Sequence, residues 1–179
     1  MKKTLALLAI MLTCATEARA QHTPVNSGLG MGFHLIQNQR DFGFGLQATS
    51  PYIAGGSFAL RVRSSLMFNE GLLDTAIQWM PYYNLSIGLI GVGGKIGEHI
   101  RLYGEGGIVT LLPSDRFSSE RMVVGGYGLF GFEFFMNRMV NYFIEIGGIG
   151  TGATADKIAG RPVYSNGMSI STGFRFQLE

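Results

Sequence analysis

The amino-acid sequence predicts an all-β fold, an eight-stranded antiparallel up-and-down barrel of the transmembrane kind, and three observations carry that expectation. Apolar residues recur at every second position through most of the chain, which is the period of a strand. The positions between them hold Gly, Ser and single charges, where a soluble sheet would place Lys and Glu. Charged residues make up 15% of the chain against about 25% in ordinary soluble domains, and the 27 Gly in 179 residues are about twice the usual ~7%. A transmembrane barrel inverts a soluble sheet, turning the apolar face to lipid and filling a narrow lumen with the other.

The chain opens with Lys2 and Lys3, an apolar run over residues 5–12, and Ala18-Arg19-Ala20 as a small-x-small cleavage site. That is the pattern of a secretory signal peptide, so residues 1–20 are expected to be removed and residues 21–179 to form one barrel domain. Removal takes away Lys2, Lys3, Arg19 and Glu17, leaving eleven basic and eleven acidic residues of the original 14 and 12. With no net charge, the mature chain is expected to have no nucleic-acid partner. Its only cysteine, Cys14, leaves with the signal, which removes disulfides and thiol chemistry.

The first strand sets Leu29, Met31, Phe33 and Leu35 against Gly28, Gly30, Gly32 and His34, and Asn38-Gln39-Arg40-Asp41 turns it back. Phe42, Phe44, Leu46 and Ala48 alternate with Gly43, Gly45, Gln47 and Thr49 in the second, and Ser50-Pro51 and Gly55-Gly56 bracket the next connection. The third places Phe58, Leu60, Val62 and Leu66 toward lipid and Ala59, Arg61, Arg63 and Ser65 inward, with Asn69-Glu70-Gly71 as its turn. The twenty residues 75–94 carry no charge, yet Gln78, Pro81, Asn84 and four Gly oppose a membrane helix. Their period is near two, with Tyr83, Leu85, Ile87 and Leu89 on one side, so they read as a fourth strand that loses phase around Leu89-Ile90, in a bulge or an early strand end.

After a short turn at Gly97-Glu98-His99, Ile100, Leu102, Gly104, Gly106 and Ile108 alternate with Arg101, Tyr103, Glu105 and Gly107. Residues 113–121 read as a loop. Residues 125–150 form the clearest hairpin: Gly128, Phe130, Phe132 and Phe134 oppose Tyr127, Leu129, Gly131 and Glu133, the chain turns at residues 136–139, and Tyr142, Ile144 and Ile146 oppose Asn141, Phe143 and Glu145. A long loop at 151–166 leads to the last strand, with Met168, Ile170, Thr172, Phe174, Phe176 and Leu178 outward and Ser169, Ser171, Gly173, Arg175 and Gln177 inward. An even strand count in an edge-free sheet is what a bilayer demands, since unpaired backbone in lipid costs several kcal/mol per group.

Gly131-Phe132-Glu133-Phe134-Phe135 with its turn, Phe143-Ile144-Glu145 and the aromatic-ended last strand resemble the small eight-stranded outer-membrane barrels, the OmpA transmembrane-domain and OmpX-like group of porin-like families. The resemblance implies a multi-pass β-barrel in a Gram-negative cell outer membrane, with both termini and the short turns in the periplasm. The resemblance is specific for architecture and nearly silent on activity; the expected role is structural or surface-interacting, with no catalysis and no cofactor. The alternatives are a narrow ion or small-solute pore and, as in some small outer-membrane barrels, a lipid A-modifying enzyme using His with Ser or Asp at one rim. A third class, a secreted soluble barrel of lipocalin type, would need the apolar face inward.

The candidate residues follow from facing. Arg61, Arg63, Arg101 and Arg175 share the lumen with Glu105, Glu133 and Glu145, where isolated charges would be costly, so they are expected to pair into a ladder of salt bridges. Trp79, Tyr82, Tyr83, Phe134, Phe135 and Tyr142 are expected to form interfacial aromatic girdles. For an enzyme, His34 would have to meet Asp74 or Thr75 at the outer rim; His22 and His99 stand elsewhere. No metal site is expected. The expected partners are outer-membrane lipid and lipopolysaccharide, the barrel assembly machinery during insertion, and an unidentified protein at the loops carrying Arg116, Phe117, Lys157 and Tyr164, with the chain itself monomeric.

Overall fold

The computed structural model describes residues 28–73, 76–137 and 139–178; the signal peptide, its cleavage site, His22, Asp74 and Thr75 lie outside the described residues. Eight strands follow one another: β1 Leu29–Asn38, β2 Asp41–Thr49, β3 Phe58–Leu73, β4 Ala76–Ile96, β5 Ile100–Leu112, β6 Val123–Phe135, β7 Val140–Gly150 and β8 Gly167–Leu178. Each pairs antiparallel with the next, and β8 closes on β1 from Leu29↔Leu178 to Asn38↔Ser169, giving a closed barrel. No strand of the barrel is left with a free edge along its shared length.

Facing follows the alternation in the sequence. Leu35 is 58% exposed, Leu46 68% and Leu60 53%, while His34, Arg61, Arg63 and Glu145 between and beyond them are 5% or less. The apolar side chains therefore line the outer wall, and the lipocalin arrangement is reversed. One end of the barrel holds Leu29 and Leu178 with the connections 50–57, 97–99 and 136–139; the other carries the loops 113–122 and 151–166.

Three local expectations are corrected. Asn69, Glu70 and Gly71, expected as a turn, lie within β3 and pair with Met80, Trp79 and Gln78 of β4. The alternation runs on through them, with Asn69 inward and Glu70 outward, so ladder pairing overrides their turn preference. The bulge exists but lies at Gly93: Val92 pairs with Tyr103 and Gly94 with Leu102, leaving Gly93 opposite nothing. Ile90 keeps its phase, fully buried against Ala59 and Tyr103 in the lumen. Finally, Tyr82 and Phe135 do not join the outer girdles, because neighbours on a strand face opposite ways. Tyr83 is 57% exposed while Tyr82 is 1% exposed, and Phe135 shares the side of Glu133, its ring centroid 5.3 Å from the Arg101 guanidinium.

Candidate functional site

The lumen gathers all seven charged residues of the expected ladder into one connected chain. Arg101 sits on β5 beside Glu133 of β6, its register partner, and donates to Glu133 Oε2 through Nε at 2.8 Å and also through Nη2. Arg175 Nη1 stands 3.3 Å from Glu133 Oε1, and its Nη2 donates to Glu145 Oε1 at 2.5 Å. Glu145 also accepts from Arg61 at 3.1 Å and from both Arg63 Nη1 and Nη2, at 2.8 and 3.0 Å. Arg61 and Arg63 then reach Glu105 Oε2, at 2.6 and 2.7 Å.

Neutral groups complete the carboxylates' shells. The Tyr103 hydroxyl donates to Glu145 Oε1 at 2.5 Å and accepts from Arg175 Nη2 at 2.8 Å, and Ser171 donates to Glu145 Oε2 at 2.5 Å. Tyr127 donates to Glu105 Oε1 at 2.7 Å. Glycine makes room for these rings: a Cβ at Gly131 would fall 2.2 Å from Tyr103 Cζ, and one at Gly88 equally close to the Tyr127 hydroxyl. Arg175 also stacks over Phe143, 3.9 Å from its centroid, and Arg101 over Tyr52, 4.4 Å away on the connection 50–57. With every carboxylate paired more than once, the charges tolerate burial that would cost several kcal/mol apiece if unpaired.

The long-loop half of the lumen is built from different material. Met67, Met80, Tyr82, Val109 and Leu111 point inward from the strands and meet Phe117, Ala153, Ile158 and Tyr164 from the two loops. Tyr82, Phe117 and Tyr164 pack edge to face, with centroids 5.0–6.2 Å apart. Phe117 and Tyr164, expected on exposed loops, are 0% and 1% exposed, whereas Arg116 and Lys157 remain outside. Burial pushes the Tyr164 hydroxyl up to about 12. The loops also clasp each other: Ser119 donates to Asp156 through its backbone N–H at 2.8 Å and through its hydroxyl, which holds the Asp156 carboxyl below the usual range. Lys157 Nζ donates to the Asp115 carbonyl at 2.7 Å.

Asp41, expected in a turn, is a buried acidic residue that the expected ladder leaves out. It is 1% exposed at this end of the lumen and accepts from Asn69 Nδ2 at 2.5 Å, the Tyr82 hydroxyl at 2.8 Å and the Ser165 N–H at 2.5 Å. Those three groups stand 28, 41 and 124 residues away along the chain, so only the inward parity of Asp41, two positions before Gly43, signals its role.

Of the histidines, His34 lies inside the barrel, its Nε2 2.9 Å from Ser65 Oγ, and His99 sits on the connection 97–99. His34 and Ser65 are 1% and 4% exposed and Nδ1 has no hydrogen-bond partner, so neither the access nor the orienting third group of a Ser–His nucleophile is present at this pair. Among the described residues no group of three His, Cys, Asp or Glu is placed to hold a metal ion. Trp79, Tyr83, Phe134 and Tyr142 stand on the outer wall: Tyr142 lies between Phe134 and Phe174 at 6.0 and 5.4 Å, and Trp79 packs edge-on to Phe42 at 5.0 Å.

No family model and no curated protein matches the chain. Among solved structures, the N-terminal β-barrel domain of Pseudomonas aeruginosa OprF is similar with a TM-score of 0.59 at 10% identity, covering 84% of this chain and 97% of that domain. Ail, the attachment invasion locus protein of Yersinia pestis, gives a TM-score of 0.44 at 13% identity, covering 83% of this chain and 95% of that one. The OprF likeness is one of fold: a small, closed eight-stranded barrel.

Proposed function

We propose that the chain is an integral outer-membrane β-barrel protein with a structural or surface-interacting role. The end holding Leu29 and Leu178 faces the periplasm and the loops 113–122 and 151–166 face outward. The observation that carries this reading is the distribution of polarity across the wall: large apolar side chains stand exposed all around the outside while the seven ladder charges are buried within. In water such an outside would far exceed the apolar patch a monomer tolerates; in a bilayer it is the required surface. Outer-membrane lipid, including lipopolysaccharide, is then the partner along the wall, the barrel assembly machinery the partner during insertion, and the chain a monomer.

A filled lumen supports a closed barrel over the pore reading. The ladder occupies one half and the loop-borne plug the other, so a solute would have to displace paired guanidinium groups and an aromatic cluster together. The test is migration on a gel with and without boiling, together with extraction. Heat-modifiable migration and retention in carbonate-washed membranes are expected; release into buffer without detergent would refute the membrane assignment. In planar bilayers, neither the wild type nor Glu105→Ala is expected to give channel events.

A further inference from the structure

Turn 39–40 is two residues long, whereas the β3–β4 ribbon beside it continues past the last β2–β3 pair, Phe42↔Phe68, for several residues more. This step in the rim leaves a groove of about 640 Å³ on the outer wall, between Gln37, Gln39 and Arg40 on one side and Glu70, Ile77 and Trp79 on the other. Directly below it the wall is aromatic: Phe42 stacks on Phe68 at 5.2 Å and meets Trp79 at 5.0 Å, and Phe44 continues the cluster 6.3 Å from Phe68. The groove thus lies where the apolar wall gives way to polar side chains, with a cation, a carboxylate and amides above and rings beneath.

We propose that this groove binds the head of a phosphorylated, acylated glycolipid from the outer leaflet; the inference rests on the membrane reading above. Each part of such a molecule has a matching surface. Arg40 presents a guanidinium fork suited to a phosphate. Glu70 and Gln37 offer acceptors to sugar hydroxyl or amide N–H groups, since Gln37 uses its Nε2 on the Gln39 carbonyl at 3.3 Å and keeps its oxygen. The Trp79 ring, 50% exposed, offers a face to a sugar, and acyl chains run down over Phe42, Phe44 and Phe68. Charge pairing alone would suit any anion; a groove with rings below and a carboxylate beside the cation selects an amphiphile carrying both phosphate and hydroxyls.

Trp79 is the only tryptophan of the chain, so its emission reports on the groove directly. The full barrel in uncharged maltoside micelles is titrated with a bis-phosphorylated, acylated diglucosamine lipid, with the same lipid after removal of its phosphates, and with inorganic phosphate. A saturable shift of Trp79 emission is expected with the phosphorylated lipid, at least about ten-fold weaker without the phosphates or in Arg40→Ala. Arg116→Ala, on a distant loop, is expected to titrate like the wild type, and inorganic phosphate to give no shift. A non-saturating response, equal titrations for wild type and Arg40→Ala, or the same shift from inorganic phosphate would overturn the site. Heat-modifiable migration separates the two levels: a barrel that shows it and fails the titration refutes only the groove, while a chain that lacks it refutes the membrane reading as well.

Discussion

The two halves of the lumen fill the same kind of space by opposite means. Near the end holding Leu29 and Leu178, four arginines and three glutamates meet within hydrogen-bonding distance; near the long loops, methionine, aromatic and aliphatic side chains close over one buried aspartate. The seven charges of the first half all stand on strands, so their geometry is fixed by register. The apolar half depends on two loops folding inward, so it adds packing without adding barrel. The difference teaches where each half is vulnerable. Removing one carboxylate strands several cations in low dielectric, whereas removing one ring leaves a hole that neighbours can partly fill.

The largest expected effect is at Glu145, which serves Arg61, Arg63 and Arg175 together. Glu145→Ala is expected to lower stability by about 3–5 kcal/mol in urea unfolding from lipid vesicles, and adding Arg63→Met to restore part of that loss. Phe117→Ala is expected to cost about 3 kcal/mol and to raise amide exchange in 113–122 and 151–166 but not in β5–β8; equal exchange in the strands would show that the halves are not separate. Asp41→Asn keeps the shape but weakens three hydrogen bonds to a buried charge, for an expected loss of about 1–3 kcal/mol.

The smallest expected effect is acid release of the loop clasp. The Asp156 carboxyl titrates below its ordinary range, so the contact is fully present above that range and is lost as pH falls through the lower folded value. The Ser119 amide signal should follow that titration, and a signal insensitive to acid would show that the clasp does not depend on the carboxylate charge.

Much of the barrel was legible because alternation is strict and the lumen residues are chemically unlike the wall. Arg61, Arg63, Glu105 and Glu145 sit at inward parity with no competing face, and lumen geometry leaves them little choice of partner. The misplacements have separate physical causes. Tyr82 beside Tyr83 and Phe135 beside Phe134 are alike in type, yet adjacency on a strand forces one of each pair inward. Asn69-Glu70-Gly71 carries turn residues that sixteen paired positions between β3 and β4 overrule. Phe117 and Tyr164 lie in segments with no period to read, and only the space above Tyr82 determines that they turn in.

The glycines show the same limit. A Cβ on Gly107, facing inward, would lie 2.1 Å from the Ile87 carbonyl oxygen, while one on Gly106, facing outward, would make only an ordinary contact at 3.8 Å. Adjacent and identical in the sequence, they are interchangeable on paper and not in space.

Gly93 makes that point at the level of the whole strand. Because it pairs with nothing, β4 resumes one step out of phase, which places Ile96 on the outer wall at 54% exposure beside Ile100. Were Gly93 drawn into the ladder opposite Leu102, everything between it and the next connection would swap surfaces, with Ile96 turned into the mouth and Lys95 onto the outer wall; excising Gly93 would leave both facing as they do now. By standing outside the ladder, one residue with no side chain keeps the polarity of the strand end in frame.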